Sequence, residues 1–89
     1  MDRTEAQALA SKELQRVERA GYGVASEHID QVTMKEITAP GGTDYELELS
    51  YLWDDEEHED ILVICRVKAR TWFERGHVER SIKMASNRD

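Results

Sequence analysis

Apolar positions change their spacing as the chain is read. Ala6, Leu9, Ala10, Leu14 and Val17 recur three and four residues apart, while Lys12, Gln15, Arg16, Glu18 and Arg19 fill the other positions. This spacing puts one apolar stripe on a helix over residues 4–20. Thr4 is a suitable N-cap, with Gln7 completing a capping box, and Asp2 with Glu5 offers the same pairing earlier. Arg16 and Arg19 complement the dipole in the last turn, and Gly21 suits the cap that ends the helix.

From Val24 to Ala39 the apolar positions Ile29, Val32, Met34 and Ile37 change parity. The β-branched content predicts a strand over 31–38 with a bulge. A short second helix capped by Ser26 is the competing reading, and Pro40-Gly41-Gly42 closes the segment as a turn.

Beyond that turn the pattern becomes strict alternation. Over 43–53, Tyr45, Leu47, Leu49, Tyr51 and Trp53 share one face; over 61–74, Ile61, Val63, Cys65, Val67, Ala69, Thr71 and Phe73 do the same. Each is a half-buried strand. One hairpin register puts both apolar faces together: Tyr51 opposite Val63 and Leu49 opposite Cys65. It also sets Glu48 against Arg66, Glu46 against Lys68 and Asp44 against Arg70, and a one-residue slip loses both gains. Arg75-Gly76 reads as a two-residue turn into a last strand over 77–85, with Phe73 meeting Val78, Ala69 meeting Ile82 and Val67 meeting Met84. Arg80, opposite Thr71, is the charged residue of this inner face and is expected near an edge. The end, Asn87-Arg88-Asp89, is expected to fray.

The fold class that follows is α+β in one domain, residues 1–89: an N-terminal helix packed on a four-stranded antiparallel meander. This α-β-β-β-β order is similar to the layout of cystatin-like domains. The likeness is one of element order, carried by no residue motif, and implies no function.

Twelve basic and nineteen acidic side chains give a net charge of -7 among 89 residues. That sign disfavours nucleic acid and favours a partner with a basic surface. The longest apolar run is too short to span a membrane, and the polar start is no signal peptide, so a cytoplasmic protein is expected. The lone Cys65 reads as a core thiol in a reducing compartment. A chain of this length buries a small core, so self-association is expected to help it.

Little catalytic chemistry is legible. The tip Asp54-Asp55-Glu56-Glu57-His58-Glu59-Asp60 is dense in carboxylates but lacks the alternation and glycine of a calcium loop. His28, His58 and His77 have no metal-ligand spacing, and no nucleophile elbow is present. No cofactor, metal or catalytic residue is expected. Apolar residues on the outer sheet face are the better clue: Leu52, Leu62 and Ile64 cluster at one end and Trp72 lies at the other. With Asp54, Asp55, Glu56 and Glu57 as an electrostatic prong, they mark a noncatalytic interaction module of adaptor, inhibitor or immunity type that binds another protein or forms a homodimer. A small-ligand pocket or minor active site between helix and sheet, near Tyr22, His28 and Tyr45, is the alternative.

Overall fold

The computed structural model describes residues 2–70 and 76–86. Helix α1 (Arg3–Ala20) starts from Asp2, whose carboxylate accepts the Glu5 N–H at 3.0 Å. The cap is therefore Asp2 and not Thr4: the carboxylate satisfies an orphan donor and places a negative charge at the positive end of the dipole. At the other end Gly21, at φ 97°, donates its N–H to the Val17 carbonyl. A short helix α2 (Tyr22–Ser26) follows, so the second helix exists alongside the strand. Ser26 closes α2 instead of opening it, its hydroxyl donating to the Gly23 carbonyl at 2.7 Å.

Four strands follow, β1 (Val32–Thr38), β2 (Asp44–Trp53), β3 (Ile61–Ala69) and β4 (Val78–Met84), antiparallel in the order β1-β2-β3-β4. One N-terminal helix on this meander is the layout that the alternation predicts. The β2–β3 register pairs Tyr51 with Val63, Leu49 with Cys65, Glu48 with Arg66 and Glu46 with Lys68. β1 pairs with β2 in continuous register from Val32↔Ser50 to Thr38↔Asp44, and the bulge lies just before it, where Asp30, at φ 65°, donates its N–H to the Tyr51 carbonyl and Gln31 accepts the Tyr51 N–H. Its parity change has another cause: Val32 and Met34 belong to the outer face and Ile37 to the inner one.

The β3–β4 register differs from expectation by six residues, with Val67 opposite Val78 and Ile61 opposite Met84. Ala69 therefore does not meet Ile82, nor Val67 Met84, and Arg80 lies opposite Cys65; Phe73 is outside the described residues. Charge explains the choice. The expected register sets Lys83 against Lys68, whereas the observed one sets Glu79 against Arg66, in an ion pair of 2.9 Å. An even shift preserves which side chains face inward, so Val78 and Met84 are buried as the pattern requires. Arg80 is exposed on the edge strand β4. The expected continuation of β3 through Glu74, the Arg75 half of the turn, and the fraying end at 87–89 lie outside the described residues.

The core joins Ala6, Ala10, Leu14 and Val17 of α1 to the inner face of the sheet, where Tyr45, Leu47, Ile61, Val63, Cys65 and Val67 are almost wholly enclosed. Each large aliphatic buried here contributes about 1.5–3 kcal/mol. α1 lies over β3 and β4, not over the middle of the sheet. β1 is consequently exposed along nearly its whole length.

Candidate functional site

Two surfaces meet at β1: the outer sheet face, and the inner strip that the displacement of α1 leaves open. On the outer face the registers align Val32 with Ser50 and Ile64, and Leu52 with Leu62. Met34 lies two residues along from Val32 on the same face. Val32 is 56% exposed, Met34 58% and Leu52 40%, while Leu62 and Ile64 are half-buried. The structure thus brings Leu52, Leu62 and Ile64 together and adds Val32 and Met34, which sequence reasoning missed. Their signal was available: the turn at Pro40-Gly41-Gly42 fixes β1 against β2 and sends both side chains outward. Trp72 lies outside the described residues.

Next to this patch the outer face is charged, and each of Arg66, Lys68 and Arg70 sits against a carboxylate. Lys68 pairs with Glu46 at 3.3 Å, Arg70 with Glu36 at 3.1 Å, and Arg66 lies between Glu79 at 2.9 Å and Glu48 at 3.9 Å. Exposed pairs of this kind add little stability each, and with four carboxylates around three cations they leave this half of the face net negative.

The acidic tip divides into a bound part and a free part. Asp55 accepts the Glu59 and Asp60 N–H groups at 2.8 and 3.4 Å, closing the loop on itself. Asp54 and Asp60 both reach Lys83, at 3.2 and 3.4 Å, and Asp60 also accepts the Ser86 N–H. These hydrogen bonds and charges raise the Lys83 ammonium above its ordinary value. His58 adopts φ 59° and stacks on Trp53 with ring centroids 5.3 Å apart. Glu56 and Glu57 are exposed. Among the described residues no group of three or more His, Cys, Asp or Glu side chains is arranged to hold a metal ion.

On the inner side, the strip between α1 and β1 is a groove. Glu13 is 6% exposed and holds Arg16 at 2.6 Å and Lys35 at 2.8 Å, tying helix to strand. Burial alone pushes the Glu13 carboxyl upward, but the hydrogen bonds and charges of Arg16 and Lys35 outweigh it and hold the group below its ordinary value. This bridge divides two recesses. One, of about 290 Å³, has Val17, Val24, His28, Leu49 and Tyr51 in its walls; the other, of about 280 Å³, has Leu9, Lys12, Arg19 and Ile37. The signal for the bridge lay in opposite charges at inward positions, Glu13 in the helix stripe and Lys35 opposite Leu47.

Tyr22, His28 and Tyr45 do not share one pocket. The Tyr22 hydroxyl donates to the Glu59 carbonyl, and His28 packs on Tyr51 with centroids 5.2 Å apart. Tyr45 donates to Glu5 at 2.8 Å, and burial first, then the Glu5 carboxylate, pushes its phenol up to about 12. Burial likewise pushes the Cys65 thiol up to about 11, leaving a protonated core group and not a nucleophile. No helix among the described residues is long and apolar enough to cross a membrane. No protein-family model, curated protein or solved structure matches this chain.

Proposed function

We propose that this chain is a noncatalytic protein-binding module of a reducing, cytoplasmic compartment, and that the apolar half of its outer sheet face docks onto a second copy. One observation carries this reading: Val32, Met34, Leu52, Leu62 and Ile64 gather around Ser50 on the outer face, beside a charged half in which Arg66, Lys68 and Arg70 each have a carboxylate partner. A copy stacked on this face covers apolar surface without stranding a cation, which is the kind of contact that sheet faces make. The net charge of -7 opposes approach of two copies, so the dimer should tighten as salt is raised. Adaptor, inhibitor and immunity-type roles all use such a module, with Glu56 and Glu57 free to attract a basic partner.

Light scattering over a concentration series tests the reading. The parent protein should move from monomer to dimer at high micromolar concentration, more readily at high salt, and Leu52→Glu with Leu62→Glu should hold it monomeric. A strict monomer throughout, whose solubility those substitutions leave unchanged, overturns it.

A further inference from the structure

β1 carries a second docking surface of different chemistry, reaching beyond the outer-face reading. We infer that its open edge, together with the basic groove behind it, accepts an extended acidic segment of another protein as a fifth strand.

The backbone supplies the first half of the argument. Tyr51 donates its N–H to the Gln31 carbonyl at 3.3 Å, and Ala39 donates to Thr43 at 2.8 Å. In an antiparallel ladder the bonded positions alternate, so the odd-numbered residues of β1 bond to β2. The even-numbered Val32, Met34, Glu36 and Thr38 therefore turn their N–H and C=O groups toward the open side. β1 is an edge strand, and its seven residues span about 23 Å at the usual rise per residue. Unpaired strand edges of this length are templates for strand addition.

Charge selects the occupant. A strand added to β1 sends alternate side chains over the recess lined by Lys12, Arg16, Arg19 and Lys35, where Glu13 is the one carboxylate among the described residues. Elsewhere in this acidic chain Arg66, Lys68, Arg70 and Lys83 have carboxylate partners of their own; Lys12 and Arg19, like the more distant Arg3 and Arg80, have none within ion-pair distance among the described residues. Leu9 and Ile37 give the same recess an apolar floor. Its complement is a strand with carboxylates on one face and apolar side chains on the other, where they meet Val32 and Met34.

A second copy does not fit this edge. Self-pairing centred on Lys35 sets that ammonium against its twin. Centring on Met34 avoids this clash but still brings two basic grooves side by side, and like charges so placed are destabilising.

The test uses the full chain and a blocked, fluorescein-labelled octapeptide of alternating valine and glutamate, titrated by fluorescence anisotropy. An otherwise identical valine–lysine peptide is the control. The glutamate peptide should bind, the lysine peptide should not, and raising salt from about 50 to about 500 mM should weaken binding about tenfold. Lys12→Glu with Arg19→Glu should weaken it at least as much. Glu36→Pro removes an outward N–H without touching the ladder to β2, so it should abolish binding while Glu36→Gln retains it. Leu52→Glu with Leu62→Glu should leave peptide binding intact, which separates this inference from the outer-face reading. Equal binding of the two peptides, no binding of either, or unchanged affinity in the charge-reversed pair overturns the proposal and leaves Lys35 as a guard against edge pairing. If Glu36→Pro loses its sheet signal in circular dichroism, the charge-reversed pair decides alone.

Discussion

Glu13→Gln probes the contact that ties α1 to the exposed strand. Glutamine keeps the volume of the side chain, so no cavity opens, but the charge that holds Arg16 and Lys35 disappears. Removing one member of a fully buried pair costs about 3–5 kcal/mol, because the other charge stays desolvated. Here the Arg16 and Lys35 side chains are 53% and 48% exposed and can turn to water, which lowers the expected loss. A loss of about 2 kcal/mol at pH 7 follows, or roughly 10 °C in Tm for a chain of this size. The effect must also depend on pH. The folded Glu13 carboxyl lies below its ordinary 4.5, so its stabilisation is fully present above that value and fades as pH falls through the lowered one. Urea denaturation at neutral pH and near pH 3 should thus show parent and variant converging on acidification. Stability within about 0.5 kcal/mol of the parent at neutral pH, or a gap that persists in acid, refutes this account of the bridge.

Three further outcomes are expected. Stability should fall as pH rises above about 9, the ordinary value for Cys65, and go on falling to about 12, the folded value for Tyr45, by about 3 kcal/mol per group; Ellman's reagent at pH 8 should accordingly label the native thiol far more slowly than the urea-unfolded one, and equal rates contradict this. Asp55→Ala should cost about 1–2 kcal/mol because it orphans two loop N–H groups, while Glu56→Ala should stay within about 0.5 kcal/mol of the parent in the same denaturation assay. Glu13→Leu with Lys35→Leu should match or exceed the parent in stability yet self-associate through β1, detectable by analytical ultracentrifugation; a destabilised monomer counts against it.

The sequence made the architecture legible wherever a single period was sustained. Tyr45–Trp53 and Ile61–Ala69 alternate without interruption, and three opposite-charge pairs pinned their register. The last hairpin was misread because alternation leaves any even shift equally satisfied, and Arg75-Gly76 was given more weight than the clash of Lys83 with Lys68. β1 was hard to read for the opposite reason: α1 does not cover it, so its apolar residues fall on both faces and no single period describes it. Of the candidate surface, Leu52, Leu62 and Ile64 could be read because they sit on the strands whose register was fixed. Val32 and Met34 needed a register for β1, which the turn at Pro40-Gly41-Gly42 supplies once no bulge is placed inside the strand. Nor did the acidic run reveal that Asp54, Asp55 and Asp60 hold the loop together, since composition does not distinguish a bound carboxylate from a free one.

The position of α1 explains why β1 has two unlike surfaces. A helix centred on the sheet would cover the inner side of β1, and an apolar residue at position 35 would then complete the core. Lying over β3 and β4, α1 leaves that position at the margin, where an apolar side chain would give a sticky edge open to any passing strand. Lysine there makes the edge selective, but it needs a counter-charge on the helix, and Glu13 tolerates burial because Arg16 shares the load with Lys35. The outer side faces no such constraint, since nothing in the chain packs against it among the described residues, and it can carry Val32 and Met34 exposed. Self-association through the outer face should therefore strengthen with salt, and capture of an acidic strand at the edge should weaken. That opposite response makes the two contacts separable in a single salt titration.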